Sequence, residues 1–223
     1  ERFKYNFNRE QYGKLPLSER QAPLSAQIGM WWLYFKWQWL RDPTDANNGP
    51  QGALAAIFFA LGLLGAWVHF KRDRTSFAYF GPLMFTLTAV LIYYLNFKYG
   101  AAQQPEAFCR GTDPSPCEVR DRDYFYLWSY SAWGVWAALG LMYLWESVAS
   151  LLGAESAKNL RPRRIGWALA SPVVALAFVP LIANYNSASR RGDTDTADWA
   201  RDLLNSVEPY GILLPQLPAF PPH

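Results

Sequence analysis

Glu118-Val-Arg-Asp-Arg-Asp-Tyr124 packs five charged side chains into seven residues. Arg120 and Arg122 each offer a planar fork of N–H donors that matches phosphate oxygens. Glu118, Asp121 and Asp123 beside them can hold a metal, accept a proton from a hydroxyl, or pin the guanidinium groups. Two readings follow. Together with Tyr124 the cluster can contact the phosphate or sugar of a lipid-linked substrate, or it can neutralise itself and anchor its own loop. A second constellation, Arg9-Glu10-Gln11-Tyr12, suits a polar headgroup or a sugar, or a loop packed on a membrane surface. Asn184-Tyr185-Asn186 is a weaker third signal. There is no Gly-rich phosphate loop, no Ser/His/Asp set and no His-Glu-x-x-His run. The two histidines, His69 and His223, lie far apart, which argues against His-based catalysis. No metal site and no cofactor are expected beyond a substrate carried on lipid.

These residues need elements to position them, and the chain supplies apolar ones. Ala53–Phe70, Phe77–Phe97, Phe125–Trp145 and Ile165–Ala183 contain almost no charge. A helix that crosses a bilayer needs roughly 20 mainly apolar residues, at about 1.5 Å of rise each. Buried helices of a large soluble core would carry a polar stripe, and these do not. Of the 223 residues 51% are hydrophobic and 17% aromatic, with 11 Trp and 13 Tyr, side chains that suit the water–lipid boundary. A net charge of +3 and the lack of a basic-aromatic motif exclude nucleic acid as a partner. The expected fold is an all-α integral membrane helical bundle of about four transmembrane helices. An interfacial aromatic helix and a short extramembrane C-terminal helix complete it. No intramembrane Asp or Lys suggests a proton relay, which weakens an ion-pump or transporter reading.

The expected organisation is an interfacial segment over 1–50, a transmembrane region over 51–184 with a loop at 98–124, and a C-terminal segment over 185–223. Ala26–Leu40 is short for a span and is interrupted by Lys36 and Gln38, so it reads as a helix lying in the interface, with a fifth crossing as the alternative. Pro172 and Pro180 can kink the fourth span. Asp193–Val207 places Trp199, Leu203 and Val207 on one face of an amphipathic helix, with Thr194 or Thr196 as its cap.

Lys and Arg crowd the short connections 71–76 and 146–164, which puts both in the cytoplasm. The loop 98–124 and the C-terminus then face the periplasm of a bacterial inner membrane. The chain's two cysteines, Cys109 and Cys117, both sit in that outer loop. Gly111, Pro114 and Pro116 let the chain turn between them, so they are candidates for a disulfide in an oxidising compartment, or else free thiols.

At these residues the chain resembles a bacterial multi-span family catalogued as domain of unknown function 2723. The resemblance rests on Arg9-Glu-Gln-Tyr-Gly13, Ala26-Gln27, Tyr34-Phe-Lys-Trp-Gln-Trp-Leu-Arg41, Asn96-Phe97 and Glu118–Phe125. It continues in Ala183-Asn184-Tyr185, Asp193 and Ala197–Pro209. The family's animal relative is a protein O-mannosyltransferase. The resemblance therefore implies a membrane glycosyltransferase of the GT-C type, moving a sugar, mannose, from a polyprenyl-phosphate carrier to a protein hydroxyl. Its implied partners are membrane lipid, the polyprenyl-phosphate sugar and an acceptor protein. In such enzymes the acidic catalytic residue sits in the first loop, upstream of everything present here. The chain accordingly reads as an internal fragment without its catalytic base. A non-catalytic accessory or scaffold subunit of a membrane complex is the competing expectation.

Overall fold

The computed structural model describes residues 5, 19–41, 48–103, 116–118, 120–152 and 164–207. Among them the architecture is all-α. The elements are α1 (Leu24–Trp39), α2 (Asn48–Arg72), α3 (Arg74–Leu95), α4 (Leu127–Leu152), α5 (Arg164–Leu169), α6 (Ser171–Ala188) and α7 (Asp195–Asn205). Four helical stretches are long and apolar enough to cross a membrane: Gly49–Arg72, Arg74–Leu95, Asp123–Leu152 and Ser171–Ala188. This is the profile of a membrane protein. Glu1–Tyr185 forms one compact unit and Asn186–His223 a second.

α2 and α4 form the tightest pair. Small residues let their backbones touch, the usual device where helices pack without a water-driven hydrophobic term. A Cβ built on Gly65 would stand 1.7 Å from the carbonyl oxygen of Trp136, and one on Gly140 would stand 2.0 Å from that of Leu61. Around this seam the core is aromatic. Trp39 stacks on Phe58 with ring centroids 4.1 Å apart, and Phe59 stacks on Trp133 at 4.7 Å. Of the indole N–H groups in this core, Trp133 Nε1 donates to Phe58 O at 3.2 Å, whereas Trp39 Nε1 is buried without an acceptor among the described residues.

α1 lends Tyr34, Phe35 and Trp39 to this core but does not run the length of the bundle. It lies against one end of all four long helices. Gln27 meets the C-terminus of α3, Trp31 and Ser129 join it to the first turn of α4, Leu40 O accepts from Gln51 at the start of α2, and Gln38 O accepts from Asn184 in the last turns of α6. At the opposite end, Asp73 links α2 to α3. It caps α3 by accepting from Thr75 N and Ser76 N, both at 3.1 Å. The Ser76 contacts hold its carboxyl below the usual carboxylate range. His69, there too, accepts from Trp136 Nε1 at 3.2 Å on Nδ1. Indole N–H is only a donor, so the proton of His69 is on Nε2, which faces Ser76 Oγ.

Two helices depart from regular α geometry where proline dictates it. In α3, Pro82 interrupts the ladder and a π turn follows at Thr86–Val90. In the fourth stretch, helix starts at Arg164, breaks at Ala170, and tightens to a 3-10 turn at Leu176–Phe178 before Pro180. Pro180 offers no N–H to Leu176 O. The apolar run expected over Ile165–Ala183 is therefore divided, and its long apolar helix is displaced to Ser171–Ala188.

In the second unit, α7 carries Trp199 and Leu203 exposed on one side, while Val207, expected on the same face, lies past the end of the helix. Thr194 is its N-terminal flanking residue, but its hydroxyl donates to Asp198 Oδ2 at 2.7 Å rather than accepting from the backbone.

The α2–α4 seam makes a sharp prediction. Gly65→Ala and Gly140→Ala push a methyl into backbone and should each cost at least ~1–3 kcal/mol, read as a loss of thermal stability in detergent. Gly134→Ala, with nothing within 4 Å of the added Cβ, should be neutral or gain up to ~1 kcal/mol from helix propensity.

Candidate functional site

The charged run before α4 is held by three neighbours: α1, the C-terminus of α3 and the short segment after it. Asn96 ends α3 in the left-handed region, with φ 45°, a conformation Asn tolerates better than most residues. This turns the chain so that Phe97, Lys98 and Tyr99 run alongside 116–118. Tyr99 N donates to Pro116 O at 3.2 Å and Glu118 N to Tyr99 O at 2.8 Å, an isolated parallel bridge between Tyr99 and Cys117. Cys117 is disulfide-bonded; the chain's other cysteine, Cys109, lies outside the described residues.

Each acidic group nearest the core has internal work. Glu118, almost fully buried, accepts from Lys98 N on Oε1 at 3.3 Å and pairs with Arg122 Nη2 through Oε2 at 2.8 Å. The Arg122 guanidinium also lies 5.2 Å from the centroid of the Phe97 ring. Asp121 Oδ1 accepts from Tyr34 Oη at 3.0 Å and from Ala102 N at 3.2 Å. Tyr34 in turn accepts from Arg122 N at 3.2 Å. A single buried hydroxyl on α1 therefore fixes both the side chain of Asp121 and the backbone of Arg122. Burial, with help from the Asp121 carboxylate, raises the Tyr34 hydroxyl well above its ordinary value of 10.0, so it remains a donor to Asp121.

The remaining charges are different. Arg120 is exposed and Asp123 half-buried, and among the described residues neither side chain has a hydrogen-bond or ion-pair partner. Tyr124 is exposed, its ring packed on Phe125 at 4.6 Å. The result is a rigid shelf, pinned from below by Glu118, Asp121 and Arg122, that presents one unmatched cation, one carboxylate and one phenol. Chemically this suits an anion and a neighbouring hydroxyl. Among the described residues no group of three His, Cys, Asp or Glu side chains is placed to hold a metal ion.

Arg9, Glu10, Gln11 and Tyr12 lie outside the described residues, so the structure does not relate them to the shelf. Other quoted motifs converge. Gln27 Nε2 donates to Asn96 Oδ1 at 3.2 Å and to Phe97 O at 2.7 Å. Asn184 joins α6 to the end of α1, accepting from Arg41 N at 2.7 Å and donating to Gln38 O at 3.1 Å. Tyr34, Gln27 and Asn96 build the frame of the site, yet residue type alone gives none of them a role. No family model, no curated protein and no solved structure matches the chain.

Tyr34→Phe removes a donor from Asp121 and an acceptor from Arg122 N, and should cost about 1–3 kcal/mol. The wild-type fold should also lose stability in alkali. A hydroxyl whose folded pKa is raised stabilises fully below the unfolded value, and the contribution drains away as pH climbs past it. Thermal unfolding in detergent from neutral pH upward should show that alkaline limb, shallower in Tyr34→Phe. An identical limb in both proteins would remove Tyr34 as its source.

Proposed function

We propose that this chain is part of a membrane glycosyltransferase of the GT-C type. It transfers a sugar, mannose in the resemblance, from a polyprenyl-phosphate carrier to a protein hydroxyl on the outer face of a bacterial inner membrane. The observation that carries this reading is the unmatched charge of Arg120, exposed on a loop that Glu118, Asp121 and Arg122 hold in place. In a displacement at the anomeric carbon the sugar–phosphate C–O bond breaks as the acceptor oxygen bonds to the same carbon. Negative charge then grows on the departing phosphate. A pre-placed guanidinium stabilises that charge without having to reorganise. Arg120 is the group free to do so, and Arg122 adds whichever of its N–H donors Glu118 does not take. Asp123 and Tyr124 stand beside them, where the acceptor would be oriented. The resemblance gives the proton of the attacking hydroxyl to an acidic catalytic residue.

A second reading has an observation of its own. Glu118, Asp121 and Arg122 are committed to holding the loop on α1 and α3, as a scaffold or accessory subunit would require. The two readings divide on Arg120. In membranes containing the protein at full length and supplied with labelled polyprenyl-phosphate mannose, Arg120→Ala should lower transfer by about a hundredfold, the scale of losing one oxyanion donor, at unchanged insertion and stability. Arg122→Ala should in addition destabilise the loop, because it takes the cationic partner from the buried Glu118 carboxylate. Undiminished transfer by the double variant Arg120→Ala, Arg122→Ala would end the catalytic assignment in favour of the scaffold.

A further inference from the structure

α1 and α3 diverge beside the π turn, and between them runs an apolar groove of about 390 Å³. Leu24, Ile28 and Trp31 wall it on α1, spaced so that one face of that helix looks in; Ala89 and Tyr93 wall it on α3, and Phe59 of α2 closes its floor. The π turn at Thr86–Val90 puts Ala89 at the widened part of α3. Polar atoms along it are already spent on one another: Thr88 Oγ1 and Trp31 Nε1 both bond to Ser129 Oγ, at 2.8 and 3.1 Å. Water entering such a groove would find too few partners to stay. One turn of a helix from a second copy, about 10–12 Å across and about 5.4 Å long, would take up more than this volume. A single hydrocarbon chain suits both its volume and its apolar lining.

The headgroup is specified at the mouth. Arg20 lies over the Tyr93 ring, 4.5 Å from its centroid. It donates from Nη1 to Tyr93 O at 2.9 Å and from Nη2 to Gln27 Oε1. Both acceptors are neutral. Among the described residues no carboxylate pairs with Arg20, and its Nε is buried without an acceptor. A guanidinium anchored over the ring at the open end of a lipid-facing groove, with its charge uncancelled, calls for an anion, and phosphate matches its fork.

We infer that this groove is a binding site for an anionic glycerophospholipid, with one acyl chain lying between α1 and α3 and the phosphate on Arg20. The lipid wedges α1 against the π turn of α3 and completes the membrane-facing surface there. The inference rests on the membrane character of the chain and not on the transferase reading, whose cation is Arg120.

The test is native mass spectrometry of the purified chain in detergent, titrated with dioleoyl phosphatidylglycerol, with dioleoyl phosphatidylcholine, and with a polyprenyl phosphate as competitor. One phosphatidylglycerol should be retained about fivefold more strongly than phosphatidylcholine, the scale of one Arg facing anionic lipid. Arg20→Gln should erase that preference and Arg20→Lys should keep most of it. Ala89→Trp, which fills the groove from a lipid-facing position and leaves Arg20 in place, should abolish retention of both lipids. Equal retention of the two lipids by the wild type, or undiminished phosphatidylglycerol on Ala89→Trp, would overturn the site. Displacement of phosphatidylglycerol by an equimolar or smaller amount of polyprenyl phosphate would also overturn the assignment, giving the groove to an isoprenoid chain instead.

Discussion

Asn96 is wholly buried at the end of an apolar helix, and every polar group it owns is used. Its N–H donates to Ile92 O at 3.4 Å and its C=O accepts from Gln21 Nε2 at 2.7 Å. Its side chain accepts from Gln21 N and Gln27 Nε2 and donates to Glu19 O at 2.8 Å. An unpaired amide in such surroundings costs about 1–3 kcal/mol, more where no water can substitute. The left-handed turn at this residue and its five hydrogen bonds, to Ile92, Glu19, Gln21 and Gln27, fix where α1 begins. Everything on that face of the molecule is registered from there: Tyr34 falls under Asp121, Trp31 under Ser129, and Gln38 beside Asn184.

The consequence is a division of labour. α1 couples to α2, α3, α4 and α6 through one or two hydrogen bonds each, plus an aromatic layer, so the four long helices share a common lid at one end. The charged run is mounted on that lid through Tyr34 and through the Glu118–Arg122 pair. A shelf of this kind needs no rearrangement to present Arg120 and Asp123, which is the condition under which fixed charges contribute most to catalysis. Within the length of the bundle the close-packed glycines of α2 and α4 do the equivalent work by contact alone.

Much of the fold was legible because lipid-crossing helices leave a strong compositional trace. Ala53–Phe70 and Phe125–Trp145 sit inside observed helical stretches, Phe77–Phe97 runs two residues past the end of α3, and the aromatic stretch Ala26–Leu40 lies within or at the edge of α1. The fourth run was misplaced by a few residues, because hydropathy does not register where a proline stops the hydrogen-bond ladder. The site was legible as a cluster of charges but not as a structure. Nothing in Glu-Val-Arg-Asp-Arg-Asp-Tyr says which carboxylates turn inward. That is decided by Tyr34, Lys98 and Ala102, residues 19 to 87 positions distant from their partners among Glu118 and Asp121. In the same way the groove beside Arg20 comes from a π turn and from the meeting of residues 73 positions apart, which no local pattern encodes.

The central claim is that α1 lies across one end of the bundle and does not traverse it. Thiol labelling with a membrane-impermeant reagent, before and after permeabilisation, tests this directly on Pro23→Cys and Arg41→Cys, which flank the helix, with Lys71→Cys as the marker for the other end. Labelling of positions 23 and 41 from the same side, with position 71 reached only from the opposite side, is the predicted result. Labelling of 23 and 41 from opposite sides would make α1 a fifth crossing and contradict the account.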